Sequence, residues 1–426
     1  MTSPLPVSTR RNRKRLSKSI GIAVVSCLLA TPAAAQQDVV LQWNEIAVNT
    51  MVAQNPFAQA RFLAITQLAV FEAVNAVTDE YEPYLGTIQA PEGASAEAAA
   101  VAAAHRVLRT YFPASGAALD AARAASLAAI PNGQSQDDGV AVGEAAALAM
   151  IALRVGDGSS PAAWDLPDST DPGVWQLTPS CPTAGGILYQ WKDVTPFGIA
   201  AAADFIPGPP PDMTSNQYAK DYLEVKTVGA MNSSSRPQHK SDVARFYAVT
   251  SPSNLLSQAI RQLSVAEGFG LTENARALAL MAMATNDALV TSFATKYHYN
   301  FWRPETAIRA GNTDGNAKTD KDETFAPYIT TPCFPSYPSN HAAGSGAGAE
   351  ILRRIYGADG HSFTLTNPSV AGLSFTYSGF RELTDNVDDA RVYGGIHFRF
   401  DQVAGNRLGR EIATEVYKNN LRAKHP

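Results

Sequence analysis

The sequence predicts an all-α protein built as two packed helical bundles. Three observations predict it. Apolar residues recur at helical spacing over six long segments, those segments are rich in Ala and Leu, and strand-like alternation is scarce. The 426 residues, 45% of them hydrophobic, suffice for one large core or two closely packed subdomains.

Residues 1–35 have the layout of a secretory signal: a basic stretch Arg10–Lys18, an apolar run Ile20–Ala30, then small residues to Ala35. The apolar run is shorter than the roughly 20 residues of a spanning helix, so export to the periplasm or the medium is expected rather than anchoring. Val24-Val25-Ser26-Cys27 also loosely resembles a lipoprotein cleavage box, but cutting there would leave a very short apolar region.

The first bundle, about 36–155, carries helical patterns over Phe57–Val77, Ser95–Tyr111, Gly116–Ile130 and Asp138–Val155. In the Ala-rich stretch Ala94–Ala129, Val101, Val107, Leu108 and Leu119 are spaced to give each helix a packing stripe. A loop-rich segment follows, about 156–215, ending in Pro207-Gly208-Pro209-Pro210-Pro211. Its interleaved aromatics, Trp164, Trp175, Tyr189, Trp191, Phe197 and Phe205, read as a cover over a core, because a solvated linker has no use for them. The second bundle, about 216–426, contains patterns over Ser253–Phe269 and Thr272–Tyr299, a helix start at Pro338-Ser339, and a last helix running to Tyr417. Beyond the signal no long apolar run is read, so integral membrane association after cleavage is not expected.

Charge and cysteines narrow the class. Formal net charge is −5, and residues 1–35 hold six cations and no acid, which leaves the remainder at −11 and disfavours a nucleic-acid partner. Past the signal, Cys181 and Cys333 form an even pair in an exported chain, so a disulfide is expected, with two buried thiols as the alternative. Between Gly311 and Pro338, the residues Asn312, Asp314, Asn316, Asp320 and Glu323 fall near calcium-loop positions. Ala317 stands where that loop needs Gly, so a solvated polar loop is the reading. His105, His239, His298, His361 and His425 show no clustered ligand spacing; of these, His298 is near enough to Lys296 to line an entrance. No haem attachment motif occurs.

Three segments carry chemistry. Lys296 precedes Arg303-Pro304 by seven residues, which on a continuous helix would aim both cations toward one point. Pro338-Ser339-Asn340-His341 opens a helix, leaving the N–H groups of Ser339, Asn340 and His341 to face an anion. Arg391 precedes His397 by six residues, and Asp401 follows four later, on one helical face, where it can hold one ring nitrogen and leave the other basic. Together they offer cations, a hydroxyl and imidazoles, the inventory a tetrahedral or trigonal oxyanion requires.

The combination resembles the signature shared by vanadium-dependent haloperoxidases and type 2 phosphatidic acid phosphatases, over about Leu271–Tyr417. Phe301-Trp302-Arg303-Pro304, Phe334-Pro335-Ser336-Tyr337-Pro338-Ser339 and His397-Phe398-Arg399-Phe400-Asp401 look closest to the haloperoxidase branch. The resemblance implies vanadate as cofactor, bonded by His397 and oriented through Asp401, with Lys296, Arg303, Arg391, Ser339 and the Asn340 N–H on its oxygens. It implies His341 as the acid–base group, and Phe293 and Phe334 on the halide side. The implied reaction is oxidation of halide by hydrogen peroxide to hypohalous acid, which halogenates a small organic acceptor; Lys296, His341 and His397 would be the catalytic residues. Asn340 stands where the family commonly has Gly, so its side chain must point away from the anion, and left-handed tolerance of Asn would allow this. Ala390 replaces a common Ser.

The alternative is a secreted acid phosphatase in the same site, binding phosphate and forming a phosphohistidine at His397 with His341 protonating the leaving oxygen. A non-catalytic oxyanion-binding protein is the third reading; it needs the cations but not both imidazoles. Oligomeric state and halide preference are not specified by these residues.

Overall fold

The structure is a computed structural model that describes residues 38–161, 169–182 and 186–424. The expected signal peptide, Trp164 and His425 lie outside the described residues. Thirteen α-helices and one hairpin are present among those described.

The N-terminal helices are α1 (Val39–Thr50), α2 (Pro56–Thr78), α3 (Ala96–Tyr111), α4 (Gly116–Ala128) and α5 (Gln134–Leu153). Their ends are written in the sequence. The Asn55 side chain caps α2 with Pro56 at its first position, the Ser95 hydroxyl caps α3, and Asp79 closes α2 in a left-handed conformation (φ 54°). The Ala-rich stretch forms α3 and α4, as its packing stripe requires; Ala98 to Ala104 are all buried.

The C-terminal helices are α6 (Asn216–Val228), α7 (Gln238–Ala248), α8 (Pro252–Glu267), α9 (Leu271–Tyr299), α10 (Pro304–Arg309), α11 (Asn340–Tyr356), α12 (Phe380–Tyr393) and α13 (Arg399–Asn419). Between α11 and α12 lies an antiparallel hairpin, β1 (Asp359–Thr366) and β2 (Ser374–Gly379), which the scarcity of alternation did not foretell. Its Phe363, Leu365 and Tyr377 are buried in the same core cluster as the helices.

The 29-residue α9 joins the bundles: it packs on α2 on one side and on α11 and α13 on another, and it is buried along nearly its whole length. Here the reading that no long apolar run exists is corrected. Helices α2 and α9 are each long and apolar enough to cross a membrane by length and composition, but 83% and 94% of their apolar windows are buried inside the protein. They are all-round hydrophobic because they have neighbours on every side.

The described residues of segment 156–215 include Trp175, Trp191, Val194, Phe197 and Ile199, all buried. The main-chain N–H groups of Phe197, Gly198 and Ile199 donate to the buried Asp287 carboxylate of α9 at 2.8, 2.6 and 3.2 Å. Arg61 of α2 pairs with Asp157 at 2.7 Å, and Arg154 joins the same carboxylate. Cys181 and Cys333 are disulfide-bonded with Cα atoms 5.3 Å apart, as expected of the pair.

Candidate functional site

Lys296 lies in the last turn of α9 and is fully buried. The expectation that one continuous helix carries it to Arg303 is corrected. Asn300 adopts φ 47° and ends α9, and Arg303 follows in extended backbone as the N-cap of α10. The two cations meet because both turn onto the Phe334 ring, with Lys296 Nζ 5.4 Å and Arg303 Cζ 5.0 Å from its centroid.

All three ammonium protons of Lys296 have partners, the carbonyls of Pro335 (2.8 Å), Ser336 (2.6 Å) and Pro338 (2.6 Å). Lys296 thus holds the turn that delivers Ser339. Arg303 Nε donates to the Phe334 carbonyl at 2.8 Å, and its Nη1 reaches the Ile396 carbonyl and His397 Nε2, each at 3.0 Å. Its Nη2 is buried with no protein partner. Arg391, on α12, donates Nη1 to the Tyr247 carbonyl at 3.1 Å and leaves Nε buried and unpartnered.

His397 precedes α13 instead of lying on it, so its contact with Asp401 is not the helical i, i+4 pair expected. Asp401 is the third residue of α13 and reaches back, its Oδ2 accepting from the Phe398 N–H (3.1 Å), the Ser336 hydroxyl (2.6 Å) and His397 Nδ1 (2.8 Å). With Nδ1 facing a carboxylate and Nε2 facing a guanidinium, the network assigns the ring proton to Nδ1 and a lone pair to Nε2.

Ser339 caps α11 through its side chain, but its N–H donates to the Asp401 carbonyl at 3.0 Å and is not free for an anion, contrary to expectation. Asn340 is the first residue of α11 and needs no left-handed backbone; its amide oxygen sits 2.8 Å from the Ser292 hydroxyl, which directs the side chain toward α9. His341 keeps some solvent contact while lying deep among protein atoms. Ala390 is buried on α12. Phe293 and Phe334 are buried with ring centroids 5.0 Å apart, and Phe57 backs Phe293 at 4.4 Å.

The electrostatics follow from burial. Removal from water, then Arg303 and Arg391, push the Lys296 ammonium well below its ordinary range. Burial also brings Arg303 down to about 9 and Arg391 to about 10. Both imidazoles are driven well below their usual value by burial and by these cations, which keeps them neutral at pH 7. Asp401 is pushed up to about 6 by burial, with Ser336, Lys296 and Arg303 pulling it back. Three buried cations against one buried carboxylate leave positive charge uncompensated, and two guanidinium N–H groups have no acceptor. A small oxyanion supplies both missing items, so the residues present fit one.

Residues 276–424 match the family described as the VCPO second helical-bundle domain, and this span contains every cationic and imidazole residue of the site. Over this part, the chain is similar to the vanadium haloperoxidases. It is 28% identical over 181 residues to the vanadium chloroperoxidase of Curvularia inaequalis, covering 34% of this chain and 29% of that protein. It is 32% identical over 103 residues to the vanadium-dependent bromoperoxidase of Ascophyllum nodosum, covering 21% and 18%. The matched segments thus span less than a third of either relative. The fold is similar to that of a bacterial vanadium-dependent iodoperoxidase, with TM-score 0.78, 23% identity, 93% of this chain and 100% of that chain covered.

Sequence reasoning did not find Ser336, whose hydroxyl fixes Asp401, nor the end of α7, where the Tyr247 and Thr250 main chain faces His341. Main-chain carbonyls have no sequence signature. The calcium-like loop is internally satisfied, with Asp314 accepting from Thr319 Oγ1 (2.8 and 2.7 Å) and the Asn316 N–H. Among the described residues no group of three His, Cys, Asp or Glu is placed to hold a metal ion. His298 is exposed and packs edge-on against Tyr299 at 4.6 Å.

Proposed function

We propose that this chain is a vanadate-dependent haloperoxidase that uses hydrogen peroxide to oxidise halide to hypohalous acid, which then halogenates small organic acceptors. The observation that carries the reading is the convergence of Lys296, Arg303 and Arg391, all buried, around His397, whose Nε2 lone pair faces Arg303 Nη1 at 3.0 Å. The match of residues 276–424 to a haloperoxidase helical-bundle domain supports it, as do the relatives named as a chloroperoxidase and a bromoperoxidase. Bound in this cage, vanadate supplies a Lewis acid that activates hydrogen peroxide toward halide without a change of its own oxidation state.

The chain's residues supply the rest. His397 offers Nε2 to the metal, and Asp401, held by Ser336, keeps the ring proton on Nδ1. Arg303 Nη2 and Arg391 Nε, the two unpartnered donors, bind oxyanion oxygens, joined by the Ser339 hydroxyl and the Asn340 N–H. Lys296 acts chiefly by its charge, since its protons hold the 335–338 turn. His341, neutral at pH 7, takes up a proton on the open side of the site. Phe293 and Phe334 exclude water beside the cations, where fixed charges act most strongly. The basic and apolar start of the chain supports action outside the cytoplasm.

The test is to add orthovanadate to metal-free protein and assay peroxide-dependent halide oxidation beside phosphomonoester hydrolysis. Halide-dependent peroxide turnover that appears only with vanadate is expected. Brisk hydrolysis with no peroxide-dependent turnover would make the chain a phosphatase. His341→Ala is expected to retain oxyanion binding and lose turnover; a fully active variant contradicts the proposed role.

A further inference from the structure

The site leans on the C-terminal end of α7, and that end is held by the hairpin. The last carbonyls of a helix have no intrahelical donor and carry the negative end of its dipole. The Tyr247 carbonyl of α7 accepts from Arg391 Nη1, and the main chain of Tyr247 and of Thr250, just past the helix end, faces the His341 ring. This corner adds its negative potential to that of Asp401 and of the carbonyls that Lys296 and Arg303 already meet.

Five contacts fix where α7 stops, and four of them come directly from the hairpin. Tyr377 of β2 shares a 2.6 Å hydrogen bond with the Tyr247 hydroxyl inside the core. Asn367, in the hairpin turn, donates from Nδ2 to the Thr250 hydroxyl and to the Val249 carbonyl. Phe375 packs edge-on against Phe246 with centroids 5.1 Å apart. The Thr250 hydroxyl closes the set by donating to the Phe246 carbonyl at 2.6 Å. None of these hairpin residues lies in the oxyanion cage.

We propose that Tyr377 and Asn367 are positioning residues: through the Tyr247–Thr250 corner they set the reach of Arg391 and His341 toward the bound oxyanion. The hairpin is therefore a buttress of the anion site, one that acts on its Arg391–His341 side and not on the Phe293–Phe334 side. The inference rests on the oxyanion reading of the site, but not on whether the reaction is peroxidation or phosphate hydrolysis.

The experiment compares Tyr377→Phe and Asn367→Ala with Thr364→Ala, which removes an exposed hydroxyl pair with Thr376 on the outer face of the hairpin and leaves the corner intact. Orthovanadate binding to the metal-free full-length protein is measured by calorimetry, melting temperature is followed in parallel, and kcat and the halide KM are taken on vanadate-saturated enzyme. Both corner variants are expected to weaken orthovanadate about fivefold, the weight of one well-placed hydrogen bond, and to lower kcat with the halide KM unchanged. Thr364→Ala is expected to change only the melting temperature. Corner variants that melt earlier yet bind orthovanadate as the wild type does, or that raise the halide KM as much as they lower kcat, overturn the proposal. Wild-type protein that binds no orthovanadate overturns the oxyanion reading, and this inference with it.

Discussion

Arg391 shows how much of the site depends on shape beyond charge. Its guanidinium spends Nη1 on the Tyr247 carbonyl and still presents Nε to the cage. A lysine keeps the charge but cannot serve both places from one nitrogen. Arg391→Lys is therefore expected to weaken orthovanadate about tenfold in a binding titration while the fold survives; unchanged affinity would show that only charge matters there. The residues of this cage were legible in the sequence because their types and intervals are constrained by chemistry. Their geometry was less so. Lys296 and Arg303 come together through a helix end at Asn300, and His397 meets Asp401 through a reach-back at a helix start, two arrangements that spacing alone does not distinguish from a continuous helix.

Helices α11 and α13 bring the second and third segments together, and small residues let them approach. A Cβ at Gly405 of α13 would stand 2.5 Å from the Ser339 carbonyl oxygen and 2.9 Å from Ala342 Cβ. Gly405→Ala must push α13 away from the start of α11, at a cost of about 1–3 kcal/mol. Denaturant unfolding is expected to show that loss, and orthovanadate binding should weaken with it because Ser339 moves. Stability equal to wild type would contradict the packing account.

Asp287 ties α9 to the segment at 197–199. Burial raises its carboxyl to about 6, and the three main-chain donors offset only part of that rise. The folded state thus holds this proton more tightly than the unfolded chain, whose carboxyl has the ordinary value of 3.8. The group's contribution to stability is full below about pH 4 and is lost as pH rises through about 6. Asp287→Asn cannot titrate. Between pH 4 and 7 the stability difference in urea should move in the variant's favour, by about 3 kcal/mol at most; a difference that stays constant with pH contradicts the assignment. Helices such as α2, α3, α8 and α9 could be read ahead of the structure from long, strong periodicity. The shorter α6, α7 and α12 and the hairpin could not, since their patterns are brief and their order comes from tertiary contacts, as with Tyr377 against Tyr247.

For the molecule as a whole, one long helix serves two purposes. Helix α9 is the shared core of both bundles, and its last turn carries Lys296 into the site. The disulfide closes a separation of 152 residues and ends beside Phe334, whose carbonyl holds Arg303. Replacing both cysteines by serine is expected to lower unfolding stability by about 2–4 kcal/mol. Equilibrium denaturation of the oxidised wild type and the double variant checks this, and equal midpoints would contradict it. The membrane-like hydropathy of α2 and α9 is the clearest place where the chain must be read in three dimensions, because a helix buried on all sides and a helix in lipid have the same composition.

The central claim is that one vanadate, bonded through His397, turns this cage into a peroxidase. Metal-free wild type and His397→Ala are titrated with orthovanadate while halide-dependent consumption of hydrogen peroxide is recorded. The account predicts turnover that rises to a plateau at one vanadate per chain in the wild type and is absent in the variant. Turnover that ignores vanadate, or that persists without His397, would contradict it.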